Sequence, residues 1–220
     1  MSEAPDANAA FERQLISAFA TPVMSYSWAD SAPLNDALKS IILAAERQGA
    51  AGVTRSNVGG WHSGDDFLTW NHAAIRTVCA RIGEMTKAMT RATTSVKEGA
   101  RTYDYAFDGW ANVSRHGNYH SAHNHPRCVW SGTYYVASGA PDPDGPLNGR
   151  LELLDPRAGA NMMRLEGTML EARYLVAPTP GAMVMFPAWL THMVHPFYGA
   201  GERISIAFNV KMTERKGEAA

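Results

Sequence analysis

The sequence lacks several features that mark large classes of protein. No apolar run approaches the roughly 18 residues that a membrane-spanning helix needs. The N-terminus, MSEAPDANAAFERQ, has no basic segment followed by an apolar one, as a secretory signal would have. The chain has only 2 cysteines and no CxxC pair, so we expect reduced thiols in the cytoplasm, with a single long-range disulfide as the alternative. With a net charge of -1, it has no field that would attract nucleic acid or an anionic membrane. We expect neither as a partner.

What the sequence does contain is typical of a globular protein. Of its 220 residues, 45% are hydrophobic and 19% are charged, which suits one large domain. No segment repeats at a fixed period. We therefore interpret residues 1–220 as a single domain, with a helical part from about 30 to 96 and a β-rich part from about 103 to 212.

Two helices are predicted in the first half of the chain. Asp30 or Ser31 can cap the first helix, Pro33 fits its first turn, and Gly49 can end it. A second helix is predicted from about 71 to 96. Its buried face has apolar residues at helical spacing, namely Ile75, Val78, Cys79, Ile82, Met85 and Met89.

From residue 103 onward, short strands replace helices. Segments such as CVWSGTYYVAS, GAMVMFP and RISIAFNVK are rich in β-branched and aromatic residues, and Gly, Pro and Asp separate them. We expect an α+β protein in which two N-terminal helices pack on a β-barrel or jelly roll. The Pro/Gly/Asp-rich stretch 138–149 is predicted to be a mobile loop or lid.

Histidines are concentrated in one place. Of the 8 in the chain, 4 lie between residues 116 and 125, around the motif HSAHNHP. On a strand, His123 and His125 would share a face, with Cα atoms about 6–7 Å apart, close enough to converge on one metal ion. His120 should point the other way. The segment FPAWLTHMVHP offers His192 as a third ligand, whereas His195 is interpreted as capping a turn or contacting solvent. A site with three protein ligands leaves room for substrate or oxygen.

The last strand, RISIAFN, carries a polar face. Arg203, Ser205 and Asn209 lie on that face, and the intervening residues are apolar. An arginine inside a barrel needs an anion, and a guanidinium beside a hydroxyl suits a carboxylate. Tyr135 is placed to donate to the same carboxylate, although packing in the barrel is its simpler role. A surface salt bridge is the alternative for Arg203.

Together these motifs resemble the Fe(II)- and 2-oxoglutarate-dependent oxygenases of the double-stranded β-helix fold. The matching motifs occur in order over nearly the whole chain. Within this family, the sequence is similar to a bacterial and phage subfamily. It rests on FATPV (19–23), SNVGGWHS (56–63), HNHP (123–126), SGTYYV (131–136), LDPR (154–157), FPAWLTH (186–192) and RISIAFN (203–209).

The resemblance implies roles for individual residues. His123, His125 and His192 would hold Fe(II), and Arg203 with Ser205 would bind the distal carboxylate of 2-oxoglutarate. O₂ would be the oxidant. The second substrate would be an unidentified small molecule or protein side chain, which the enzyme would hydroxylate. A homodimer is a further expectation.

One position departs from the family pattern. The family reads HxD or HxE where this chain has His125. A carboxylate from Glu152 or Asp155 could instead complete the metal site. The enzyme could also be a three-histidine dioxygenase of the cupin type that needs no 2-oxoglutarate, or a jelly roll that binds metal without catalysis. Trp61 and His62, in a glycine-rich loop, are candidates for a wall of the substrate site.

Overall fold

The computed structural model of the protein describes residues 19–49, 52–94, 102–145, 147–162, 165 and 173–215. Within them, two helices precede most of the strands, as predicted. The helices are α1 (Ala32–Arg47) and α2 (Ala73–Thr93), and short 3₁₀ turns occupy Phe67–Thr69 and Ala160–Met162. The strands are β1 (Met24–Ser27), β2 (Asn57–Val58), β3 (Trp61–His62), β4 (Thr102–Ser114), β5 (Tyr119–His123), β6 (Trp130–Pro141), β7 (Leu151–Leu154), β8 (Arg173–Val176), β9 (Ala182–Pro187), β10 (His192–Val194) and β11 (Gly199–Arg215).

The helix ends follow from their local sequence. Helix α1 starts after Ser31, and Pro33 lies in its first turn, where the missing N–H would have had no partner. Beyond its end, Gly49 has φ of 69°, a left-handed conformation that glycine adopts without strain. Helix α2 is capped by His72, whose Nδ1 accepts a backbone N–H. The helix ends at Thr93, because Thr94 is extended with φ of -96° and ψ of 134°. The predicted extension is therefore wrong at Thr94, and residues 95 and 96 lie outside the described residues.

The strands form two antiparallel sheets. The larger has the order β1-β9-β6-β11-β4-β3 and the smaller the order β2-β5-β10-β7-β8. The chain passes repeatedly from one sheet to the other, as in a jelly roll. The predicted fold class, α+β with a double-stranded β-helix flanked by two N-terminal helices, is confirmed.

The larger sheet has a different environment on each face. Ile204, Ile206 and Phe208 of β11 pack in one core with helix residues such as Leu38 and Ile82. The opposite face of β11 lines the barrel interior, where a smaller apolar cluster is found. That cluster consists of Tyr135, Leu151, Leu153, Val184, Phe186 and Leu190. The helices therefore support the sheet from outside and leave the interior face free for polar residues.

The predicted lid at 138–149 is wrong for its first part. Strand β6 continues to Pro141, so residues 138–141 belong to the larger sheet. A turn follows, of which residue 146 is not described. Hydrogen bonds join this turn to the residues that precede β11. The Tyr198 backbone N–H donates to Asn148 Oδ1 at 2.7 Å, and the Gly149 N–H donates to Pro196 O at 3.1 Å.

Two further expectations can be compared with the structure. Among the described residues, no helix is both long enough and apolar enough to cross a membrane. Cys79 and Cys128 are both free thiols, as predicted.

Gly132 lies at the centre of the larger sheet and allows neighbouring atoms to pack closely against its backbone. A substitution can test this packing. A Cβ there would lie within 3.0 Å of the Val184 carbonyl oxygen and of the Phe208 ring. Gly132→Ala should therefore lower the free energy of unfolding by about 1–3 kcal/mol, because a packed core gives little way. Urea denaturation measures this change.

Gly83 in α2 is the matched control. A Cβ at that position meets nothing within 4 Å. Gly83→Ala should raise stability by about 0.5–1 kcal/mol, since glycine is unfavourable inside a helix. Equal effects of the two substitutions would contradict this account of the sheet.

Candidate metal centre and cosubstrate pocket

Two neighbouring strands of the smaller sheet bring three histidines together. His192 of β10 is the Cα partner of His123 at the end of β5. His125 follows β5 and is held there because its backbone N–H donates to Ala188 O at 2.9 Å. One nitrogen from each ring lies within 4.8 Å of the other two. Small ring rotations would close this spacing onto one ion with bonds of about 2.0–2.1 Å.

Backbone carbonyls orient two of these rings. His123 Nδ1–H donates to Ser121 O at 2.7 Å, and His192 Nδ1–H donates to Leu190 O at 2.9 Å. A carbonyl oxygen only accepts, so each Nδ1 carries the proton and each Nε2 presents a lone pair. The Nε2 of His123 accepts from the Ser56 hydroxyl at 3.2 Å, a contact that a metal ion would replace. Partners of this kind fix the tautomer that binds a metal.

Burial keeps these histidines neutral. It lowers the pKa of His192 to about 3 and that of His125 to about 4, with nearby His123 acting in the same direction. The pKa of His123 is also lowered by burial. Only a neutral imidazole can bind a metal ion, so the three rings are ready to do so near neutral pH.

The two candidate carboxylates have other partners. Glu152 points away from the barrel interior and accepts a hydrogen bond from His195 Nε2 at 2.5 Å. Asp155 pairs with Arg157 at 2.5 Å. Within the described parts of the chain, the metal-competent cluster contains the three histidines and no acid. The sequence-based interpretation of His195 is therefore wrong, because its partner is a buried carboxylate.

His120 faces the same cavity as the metal-site histidines, contrary to prediction. The pairing of β5 with β10 shifts between His192 and Val194, so that His192 is opposite His123 and Val194 is opposite His120. The extra residue in β5 forms a bulge, which reverses the alternation of faces. His120 is 8% exposed. Burial, with the charge of Arg203 second, lowers its pKa to about 3.

Arg203 is a buried cation in the same cavity. It is 2% exposed, so the surface salt bridge is wrong. Its Nε–H donates to Gly149 O at 2.8 Å, and its Nη1–H donates to Ser205 Oγ at 3.4 Å. No acidic side chain among the described residues pairs with it. Burial lowers its pKa, which reflects a charge removed from water with no counter-ion.

Tyr135 lies against this guanidinium. Its ring centre is 5.6 Å from the Arg203 Cζ, and its hydroxyl is buried without a hydrogen-bond partner. Burial raises its pKa to about 12, so the hydroxyl keeps its proton and can donate. The pocket thus offers a cation and two hydroxyls, those of Tyr135 and Ser205, beside three neutral imidazoles. This donor set fits a bound carboxylate.

A wider cavity of about 490 Å³ opens on the other side of the histidines. His62 lies in its wall, stacked on Trp110 with ring centres 5.5 Å apart. Of the two residues expected in the wall of a substrate site, His62 lines this cavity and Trp61 does not, because Trp61 packs against the helix–sheet core. The cavity is lined by Arg55, Ser56, His62, Asp65, Asp108, Trp110, Ser121, His123, Asn124, His125 and Asn209.

Comparison with known proteins agrees with this arrangement. Residues 108–209, which include all three histidines and Arg203, match a family described as "Putative 2OG-Fe(II) oxygenase". This match and the three converging histidines indicate an Fe(II)- and 2-oxoglutarate-dependent oxygenase, an oxidoreductase that would use O₂. The cupin-type and non-catalytic alternatives are not favoured. A search of curated proteins found no match.

Solved structures share the fold of this oxygenase at low sequence identity. A Pseudomonas putida prolyl-4-hydroxylase is 16% identical with a TM-score of 0.58, covering 89% of this chain and 93% of that one. The carbocyclase SnoK of nogalamycin biosynthesis is 12% identical with a TM-score of 0.59, covering 89% and 82%. HygX from Streptomyces hygroscopicus, solved with nickel and 2-oxoglutarate, is 12% identical with a TM-score of 0.54, covering 87% and 83%.

The structure adds residues that sequence reasoning did not assign to the site. His120, Asn112 and Ser56 line the narrow inner pocket with Arg203, and Asn209 lines the wider cavity. Asn209 could have been found, because it shares the strand face of Arg203. The inward orientation of His120 depends on the bulge in β5, and Ser56 comes from a loop that is distant in the sequence. The sequence carries no signal for either of these.

The lowered pKa values of the buried histidines predict how the stability of the metal-free oxygenase depends on pH. His120, His125 and His192 have folded-state pKa values of about 3, 4 and 3, below the value of about 6.5 in an unfolded chain. Between these limits the unfolded state binds more protons, so stability rises with pH and is lost as pH falls below about 6.5. Each such histidine contributes about 1.4 kcal/mol per pH unit.

Urea denaturation in the presence of a chelator, at several pH values from 7.5 down to 5, measures this slope. His120→Gln removes one titrating ring without touching the three proposed ligands, so it should flatten the dependence. A midpoint that stays constant with pH in the wild type would show that these rings can be protonated in the folded state.

Proposed function

We propose that His123, His125 and His192 hold Fe(II), and that Arg203 and Ser205 bind the distal carboxylate of 2-oxoglutarate. Tyr135 donates to the same carboxylate. The observation that carries this proposal is the buried Arg203 guanidinium, which has no acidic partner among the described residues and shares a pocket with three neutral imidazoles. A purely structural metal site would have no use for such a cation.

A three-histidine site is compatible with an anionic cosubstrate. Three neutral imidazoles would leave the ion's charge at +2, and the two carboxylates of 2-oxoglutarate would face this ion and the Arg203 guanidinium. The contact between the distal carboxylate and Arg203 would offset the cost of burying both groups. With His125 in place of an acidic ligand, the site keeps the positive charge that attracts the dianion.

The charged and the apolar residues of the inner pocket have different roles. Bound Fe(II) and 2-oxoglutarate together supply the oxidation of a C–H bond by O₂, with release of succinate and CO₂. Arg203 orients the cosubstrate by a forked contact that a point charge would not provide. Leu151, Phe186 and Val194 give the inner pocket apolar walls, which exclude water and strengthen the ionic contact.

The wider cavity is the proposed site of the second substrate. It meets the inner pocket at His123 and His125, so a molecule bound there would reach the ion. Its side chains are mostly polar, and Trp110 is the one large apolar wall among the described lining residues. We propose that the reaction is hydroxylation of a polar small molecule or protein side chain held in this cavity.

The remaining sequence-based expectations become part of the proposal. The packing of both helices on the larger sheet supports a single domain. Free Cys79 and Cys128 agree with a reducing, cytoplasmic location. The net charge of -1 argues against nucleic acid as a partner. The homodimer stays a prediction, which the mass of the protein in solution would test.

Removing any one of the three histidines should abolish stoichiometric iron binding. His123→Ala, His125→Ala and His192→Ala each take away one of three ligands, while the circular dichroism spectrum should stay that of the wild type. Anaerobic Fe(II) titration measures the occupancy. Full occupancy in His125→Ala would show that another group completes the site.

Removing Arg203 should separate cosubstrate binding from metal binding. Arg203→Ala should weaken 2-oxoglutarate binding by about 2–5 kcal/mol, a factor of tens to thousands, with iron still bound. Arg203→Lys should recover only part of the affinity, because an ammonium cannot make the forked contact. The visible charge-transfer band of the anaerobic Fe(II) complex follows the titration.

Arg76→Ala is the control for this experiment, because Arg76 is an exposed residue of α2 whose side chain bonds to Asn71. It should bind 2-oxoglutarate as the wild type does. Absence of the charge-transfer band in the wild type, or wild-type affinity in Arg203→Ala, would contradict the proposed cosubstrate site.

A further inference from the structure

The three proposed ligands differ in what lies behind each ring. His123 and His192 have a backbone carbonyl at Nδ1, at 2.7 and 2.9 Å. His125, the residue at which this chain departs from the HxD pattern, has a side-chain amide there. The Asn209 Nδ2 lies 3.4 Å from the His125 Nδ1. The ligand that departs from the family pattern is therefore also the one whose Nδ1 faces a side chain and not a backbone carbonyl.

The identity of the amide atom that faces His125 decides whether the ring can bind a metal. If the NH₂ group faces Nδ1, then Nδ1 must accept, and the ring proton lies on Nε2, where it blocks coordination. If the amide oxygen faces Nδ1, the ring donates and Nε2 is free. A rotation of 180° about the Cβ–Cγ bond of Asn209 exchanges the two groups, which have the same shape.

The surroundings of Asn209 favour such a rotation. Its side chain is 9% exposed, and its Oδ1 is buried without a hydrogen-bond partner. After rotation this oxygen would accept from His125 Nδ1–H. Asn209 is fixed in the middle of β11, between Asp108 of β4 and Ser131 of β6, so its position is rigid while its amide can turn.

We propose that Asn209 is a positioning residue that sets the tautomer of His125 by presenting its amide oxygen to Nδ1. It would do for the third histidine what backbone carbonyls do for the other two. This inference rests on the proposed ligand set. It extends that set to a residue on the other sheet, on the same strand as Arg203, so that one strand supports both the metal site and the cosubstrate site.

Metal affinity without cosubstrate tests the proposal. Asn209→Leu keeps the volume but removes the acceptor, and should weaken Co(II) or Fe(II) binding about 10–100-fold, as loss of such partners typically does. Asn209→Asp can accept with either oxygen and should bind at least as tightly as the wild type. The matched control is Asn35→Leu, since Asn35 is also a buried asparagine, but it lies in α1 and accepts a hydrogen bond from the Tyr134 hydroxyl. Because Asn35 lines neither the inner pocket nor the wider cavity, this variant should keep wild-type metal affinity.

A spectroscopic signature separates positioning from general damage to the fold. In the Co(II)-loaded protein, ring N–H protons of ligand histidines give strongly shifted proton resonances that disappear in D₂O. The wild type should show three. Asn209→Leu should lose one of them to exchange with water, and Asn209→Asp should retain all three.

The outcomes distinguish this inference from the proposed function. A wild type with no metal affinity, or with only two exchangeable resonances, would overturn the ligand set. Three resonances and unchanged affinity in Asn209→Leu would leave the ligand set intact and overturn the role of Asn209. If Asn209→Leu does not fold, Asn209→Asp decides: metal binding weaker than in the wild type would refute the inference.

Discussion

A positive charge buried inside the barrel is the constraint on which the site depends. Arg203 is 2% exposed, and no acidic side chain among the described residues neutralises it. A guanidinium in this position is costly unless an anion meets it. The Gly149 carbonyl and the Ser205 hydroxyl satisfy only part of its hydrogen-bonding capacity. The protein keeps this costly arrangement next to the metal-site histidines, and an anionic cosubstrate accounts for both features at once.

The metal site also depends on neutral groups held firmly in place. His192 and His123 are direct partners across the pairing of β10 with β5, so the backbone that forms the smaller sheet also sets the spacing of two ligands. Local carbonyls at Ser121 and Leu190 orient the same two rings. The third ring lies beyond the end of β5, and its Nδ1 is 3.4 Å from the side-chain amide of Asn209 in the larger sheet. The proposed metal site therefore contacts both sheets of the barrel.

The two faces of β11 explain how one strand can be both rigid and polar. Ile204, Ile206 and Phe208 pack against the helix-supported core, which provides the apolar burial that holds the strand. The alternate residues face the barrel interior and do not contribute to this core, so they can be polar side chains that bind ligands. The same division separates the narrow inner pocket, with apolar walls around a single cation, from the wider polar cavity beyond the histidines.

The sequence by itself determined the class of the fold and the order of its elements, because these follow from periodicity within short segments. Most residues of the proposed site also came from the sequence, through strand alternation and through motifs that resemble a known oxygenase family. The alternation in RISIAFN predicted the interior face of Arg203, and the spacing of HNH predicted a ligand pair. Only the tertiary structure decided the features that depend on pairing between distant strands. The bulge in β5 turned His120 inward, Glu152 was taken by His195, and Asn209 was brought behind His125. A bulge or a cross-sheet contact is set by the register of two chain segments, and no single segment encodes that register.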